Sequence, residues 1–152
     1  MGIDIKGCLE LWDDFHGIWA GATVRGRDVD EKITCRDYDF FTLLNDVKNV
    51  AVTDPEYRTP IGCHSFSDNE LTYPYTNDLS FLFKHMLQEN AGCDFGHGWV
   101  LLRQIQEWLE KHPDDLLSPK LQEIEQQMCD FADAFYIPGK DIRTRFCFFF
   151  VE

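Results

Sequence analysis

The first eleven residues after Met1 alternate so regularly that they leave little choice of structure. Ile3, Ile5, Leu9 and Leu11 fall on one side; Asp4, Lys6, Cys8 and Glu10 fall on the other. A period of two over this length is a β-strand with one apolar and one polar face. No basic start and no uninterrupted apolar run follow, so a leader peptide is not expected.

Further along, His16 to Val24 reads as a second strand, joined to the first by a turn at Asp13-Asp14-Phe15. Arg25 to Lys32 is charged and loop-like. Tyr38 to Lys48 reads as a helix with Phe40, Phe41, Leu44 and Val47 inward and Asp37 as N-cap. Val50 to Thr76 carries Pro55, Pro60 and Pro74 and reads as a long irregular segment, a feature often tied to function. Leu79 to Gln88 forms a helix, Phe95 to Gly98 a flexible joint, and Trp99 to Lys111 another helix stopped before Pro113. A fourth helix starts at Ser118-Pro119 and carries Leu121, Ile124, Met128, Phe131 and Phe135 at spacings of three and four. Ile142 to Val151 is the last strand, with Phe146, Phe148 and Phe150 on one face and Arg143, Arg145 and Cys147 on the other. The expected fold class is α+β, one domain over residues 1–152. A small antiparallel sheet, made of the N-terminal hairpin and the C-terminal strand, packs with about four helices.

Composition narrows the function. The 152 residues include 13 Phe and 4 Trp, enough to build a core. No apolar run reaches the roughly 20 residues of a membrane span, so no membrane association is expected. The net charge of −13 disfavours direct nucleic-acid binding, because phosphates need a basic surface. It suits solubility, or docking into a basic protein groove in imitation of nucleic acid. The six cysteines are scattered and never spaced Cys-x-x-Cys, a pattern of reduced, buried thiols in a cytosol.

Three places carry candidate chemistry. On the polar strand face, Asp4, Lys6 and Glu10 would meet Arg143 and Arg145 if the first and last strands are neighbours. That is either a salt-bridged solvent face or a ligand platform. At the start of the first helix, Arg36, Asp37, Tyr38 and Asp39 could hold a phosphate or carboxylate, or could be ordinary capping. His64 and His97 sit beside glycines, with Cys63, Cys93 and Trp99 near in sequence, but the spacings match no familiar zinc module. Neither a metal nor another cofactor is expected. Gly-x-Ser-x-Gly, a phosphate-binding Gly-rich loop and His-Glu-x-x-His are all absent from the sequence.

The opening Met1-Gly2-Ile3-Asp4-Ile5-Lys6-Gly7, with Arg36-Asp37-Tyr38-Asp39-Phe40-Phe41 and Val47-Lys48-Asn49, resembles a family of small bacteriophage and prophage proteins. Members open Met-Gly-hydrophobic-Asp-hydrophobic-His-Gly and carry Arg-Asn/Asp-Tyr-Asp-hydrophobic-Phe before Val-Arg-Asn. Here Pro60-Ile61-Gly62 stands in the region of the family's Gly-Leu-Pro. Gly96-His97-Gly98-Trp99 resembles its His…Trp element. Lys6 replaces the family's His and Lys48 its Arg, which weakens any metal role for this opening. The likeness runs through the first 110 residues or so; the last 40 lie outside it. It implies a viral or mobile-element origin and a bacterial cytoplasm as the place of action. It carries no activity with it.

Two binding functions and one catalytic function follow. A counter-defence protein would occupy a host immune protein, such as a nucleic-acid-binding effector, through Asp114, Asp115, Glu123, Glu125, Asp130 and Asp133. A sequestering protein would hold a small phosphorylated ligand in a pocket at a homo-oligomer interface. Its site would draw on Asp4, Lys6, Glu10, Arg36, Asp37, Tyr38, Asp39, Asn49, His64, His97 and Trp99. A hydrolase would use His97 or His64 as base, oriented by Asp37 or Asp39. Binding is the favoured class. Mimicry requires a broad acidic surface, sequestration a basic pocket, and catalysis a histidine within reach of both an acid and a pocket.

Overall fold

In the computed structural model, residues 2–20, 32–48, 50, 60–76, 78–113 and 119–152 are described. They form an α+β fold with six strands and five helices. The strands are β1 (Asp4–Asp13), β2 (Ile18–Ala20), β3 (Lys32–Cys35), β4 (His64–Ser65), β5 (Asp94–Leu101) and β6 (Thr144–Val151). The helices are α1 (Tyr38–Leu44), α2 (Phe81–Glu89), α3 (Leu102–Lys111), α4 (Pro119–Ala134) and the single turn α5 (Lys140–Arg143).

All strand pairings are antiparallel. The order is β2-β1-β6-β5-β4, and β3 continues beside β2 along the same edge of β1. The expected neighbours β1 and β6 are the central pair, in register from Asp4↔Val151 to Leu11↔Thr144. The sheet is twice the expected size, because β3 and β4 are only four and two residues long and β5 is interrupted by Gly96 and Gly98.

The largest correction concerns residues 95–101. Phe95 to Gly98 is not a joint and Trp99 does not start a helix: β5 runs through them and α3 begins at Leu102. Gly96 and Gly98 serve close approach rather than flexibility. A Cβ on Gly96 would stand 2.4 Å from the Phe150 ring, and one on Gly98 2.5 Å from Val47. The other boundaries shift less. α1 ends at Leu44 rather than Lys48, and the last strand begins at Thr144 after the turn of α5. Ser118 and residues 21–24 of the expected second strand lie outside the described residues.

The helices start where their caps allow. The Asp37 side chain accepts from the Phe40 N–H, and Ser80 Oγ accepts from the Phe83 N–H. The Gln104 side chain accepts from the Leu101 N–H at the head of α3. Helices α1, α3 and α4 cover one sheet face, where Ile5, Leu9, Val100, Phe146, Phe148 and Phe150 meet Phe40, Leu44, Ile105, Ile124 and Met128. The other face is also buried. Cys8, Cys147 and Phe149 pack under Phe66, Leu79, Phe83, Met86 and Leu87. The β1 face that looks polar in sequence is therefore interior at Cys8 and Glu10, while Asp4 and Lys6 stay partly exposed. Among the described residues, no helix is long and apolar enough to cross a membrane.

Candidate functional site

Burial of the second sheet face divides the expected ionic platform into separate pairs. Glu10 and Arg145 face each other across β1 and β6, as the register predicts, but they are 0% and 3% exposed. Arg145 Nε donates to Glu10 Oε1 at 2.6 Å and its Nη2 donates to the Asp78 carbonyl at 2.7 Å. The Ser80 N–H and the Cys147 thiol donate to the same carboxylate. Trp19, Trp99 and Phe66 surround the guanidinium, their ring centres 4.2, 5.2 and 5.4 Å away. This assembly locks the head of α2 onto the sheet and admits no ligand. Burial pushes the neighbouring Cys8 and Cys147 thiols well up, so both stay protonated.

The remaining candidates of this face lie elsewhere. Arg36 Nε donates to Asp4 at 2.8 Å on an exposed edge, and the guanidinium holds the Asp4 carboxyl below its usual range. Arg143 does not join the platform; it pairs with Asp14. Asp37 acts as a cap, and Tyr38 is half exposed, tilted over Phe41. Arg36, Tyr38 and Asp39 line neither of the two cavities described below. His64 stacks on Trp99 with ring centres 4.2 Å apart. Asn49 lies outside the described residues, as do Asp114 and Asp115.

Along α4 the acids are answered locally. Glu123 pairs with Lys120 and Asp133 with Lys140. Glu125 accepts from Gln106 and Cys129, and Asp130 accepts from Gln126.

Two concave sites stand out among the described residues. The larger, about 560 Å³, lies between the β1–β2 hairpin and the chain just after α4. Its lining includes Leu11, Trp12, Ala20, Phe135, Ile137 and Pro138. Phe15 and Tyr136, also in the lining, are 90% and 87% exposed. Both positions are set by local backbone chemistry. Asp13 accepts from the Phe15 and His16 N–H groups and pairs with the His16 ring, turning the hairpin tip outward. Tyr136 has φ +56°, a left-handed conformation uncommon for a residue with a side chain. Asp14 accepts from the Trp12 indole and from Arg143, tying the hairpin to α5. Sequence reading passed over Phe15 and Tyr136. Their signal was weak: an aromatic in a turn, and another beside Pro138-Gly139.

The smaller site, about 230 Å³, is lined by Tyr75, Asp94 and His97 with Leu71, Leu87 and the Ala91–Gly92 turn. It places His97 within reach of an acid, but the acid is Asp94 rather than Asp37 or Asp39. Lys6 reaches the same end of the face, its Nζ donating to Asn90 at 3.1 Å.

The chain matches none of the known protein families, curated proteins or solved structures with which it was compared.

Proposed function

We propose that this chain is an accessory protein that works by binding, and that it docks a partner protein at the groove between the β1–β2 hairpin and the end of α4. One observation carries the reading: two aromatic side chains, Phe15 and Tyr136, stand almost fully in water on a cavity with an apolar floor. Exposed aromatics beside a pocket are the usual anchors of protein interfaces. A cavity of this size accepts an apolar side chain of a partner. The net charge of −13 favours a partner that is basic around that anchor. The resemblance to phage proteins makes the partner a host protein, and a host immune protein fits the counter-defence role. The paired acids of α4 supply long-range attraction rather than the contact itself.

The test is photo-crosslinking in the bacterial host. A photoreactive phenylalanine analogue replaces Phe15, then Tyr136, then Tyr73 as an exposed control on another part of the surface. One host protein crosslinked from the first two positions and not from the third supports docking at this groove. Crosslinking only to a second copy of the chain makes the groove a homo-oligomer contact. Equal, diffuse crosslinking from all three positions overturns the reading.

A further inference from the structure

The smaller cavity has the parts of a proton-accepting site, and a single backbone irregularity creates it. In a regular strand, residues three apart point to opposite faces. Asp94 and His97 are three apart in β5, yet both lie on the second sheet face. Between Phe95↔Phe150 and Gly98↔Phe148, β5 carries one residue more than β6. Gly96 absorbs that extra residue at φ +64°, as a glycine bulge does. The bulge reverses the parity and brings His97 back beside Asp94. The His97 ring then lies over Phe149, ring centres 5.9 Å apart.

The His97 Nε2 and Asp94 Oδ2 are 2.5 Å apart, and the two side chains are 14% and 16% exposed. A carboxylate here accepts the Nε2 proton, which leaves Nδ1 of the neutral ring with its lone pair. Tyr75 lines the same cavity from a left-handed backbone position, φ +66°. Burial, with the Asp94 charge adding to it, raises the Tyr75 phenol, so its hydroxyl remains a donor. Leu71 and Leu87 add apolar surface to the same lining. At about 230 Å³ the cavity is smaller than the sites of drug-sized ligands, which run from roughly 300 Å³ upward.

We infer that this cavity is a second site on the chain, distinct from the docking groove, which binds a small molecule with an apolar body and a weakly acidic hydroxyl, as phenols have. His97 takes the hydroxyl proton on Nδ1 and becomes an imidazolium, whose charge Asp94 balances. The Tyr75 hydroxyl donates to the oxyanion that forms. Asp94 acts as a positioning residue, and the apolar body lies on Leu71 and Leu87.

4-Nitrophenol is the probe, because its phenolate absorbs at longer wavelength than the neutral phenol. It is titrated with the full chain at a series of pH values spanning the ionisation of the free phenol, and the bound spectrum is compared with the free one at each. The expected result is binding with the phenolate spectrum. His97→Asn removes that spectrum, and Tyr75→Phe weakens binding by roughly tenfold. Phe15→Ala and Tyr136→Ala change neither. Folding of each variant is checked by circular dichroism. Should His97→Asn fail to fold, Ala91→Trp serves instead: it fills the cavity from its exposed edge and abolishes binding. The proposal is overturned if the wild type binds no probe by saturation-transfer NMR or binds it only as neutral phenol. It is also overturned if the phenolate signal survives in a folded His97→Asn or Ala91→Trp variant.

Discussion

Glu10 and Arg145 occupy directly opposed positions on β1 and β6, 2.6 Å apart and out of water. Both carboxylate oxygens accept hydrogen bonds, from Arg145, Cys147 and the Ser80 N–H. The pair joins the two central strands and, through Asp78 and Ser80, the head of α2. Removing one member leaves the other charged and buried, which costs about 3–5 kcal/mol. Glu10→Leu and Arg145→Met are each expected to destabilise by that order in urea titrations. The double variant is expected to lose less than either alone, because no orphan charge remains. Additive losses in this cycle would show that the pair does not act as a unit.

Gly96 is the residue on which the His97–Asp94 contact depends. Alanine there meets two obstacles. A left-handed backbone costs a residue with a side chain about 1–2 kcal/mol, and the new methyl would press on the Phe150 ring. Overpacking adds about 1–3 kcal/mol. Gly96→Ala is therefore expected to lower stability by about 2–5 kcal/mol. It should also shift the His97 ring resonances in NMR, as the imidazole leaves Asp94. A variant of unchanged stability and unchanged His97 resonances would contradict the bulge geometry. Gly92 makes a useful control: its φ is +86° but its Cβ direction is open, so Gly92→Ala carries only the backbone part of the cost.

What could be read from the sequence followed from where periodicity and burial coincide. β1, α2, α4 and the pairing of the two chain ends were legible because each alternates or repeats against one apolar layer. The Asp37 cap was legible because capping is local. β5 was not. Gly96 and Gly98 look like breakers, and only their tertiary neighbours, Phe150 and Val50 at Gly96 and Val47, the His64 carbonyl and Phe148 at Gly98, explain why no side chain fits there. Glu10 and Arg145 were placed on the correct strands, yet alternation reports polarity and not depth. A charge pair under a helix has the same pattern as one in water. The platform therefore looked open, and the helix that closes it, α2, gave no sign of its target. The link between His97 and Asp94 was hidden for a third reason: a bulge changes the parity on which face assignment rests.

The cysteines should separate sharply toward a thiol reagent. Cys93 is exposed. Burial raises Cys8, Cys63 and Cys147 well above the usual thiol range, and raises Cys35 less. Burial and then the charge of Glu125 push Cys129 up to about 11. Reaction requires the thiolate, so at neutral pH one fast modification is expected, at Cys93, with the others slow. Mass spectrometry after brief alkylation counts them. In Arg145→Met, a variant that opens the head of α2, Cys147 should become the next to react. Several fast thiols in the wild type would contradict the packing of the second face.

Tyr136 offers a way to separate docking from folding. Its side chain is 87% exposed, so removing it sacrifices little burial. Its φ of +56° is a conformation that glycine adopts freely and that costs tyrosine about 1–2 kcal/mol. Glycine also loosens the unfolded chain, which offsets part of that relief. Tyr136→Gly is therefore expected to leave the melting temperature unchanged or slightly raised. If the strained tyrosine is retained for contact with a partner, the same substitution should weaken capture of the protein that Phe15 crosslinks, by roughly tenfold or more, as an interface anchor does. Phe15→Ser at the hairpin tip should do the same, also without loss of stability. A stable Tyr136→Gly variant that binds as well as the wild type would remove Tyr136 from the interface. A variant that loses both stability and binding would mean that the ring holds the chain after α4 in place.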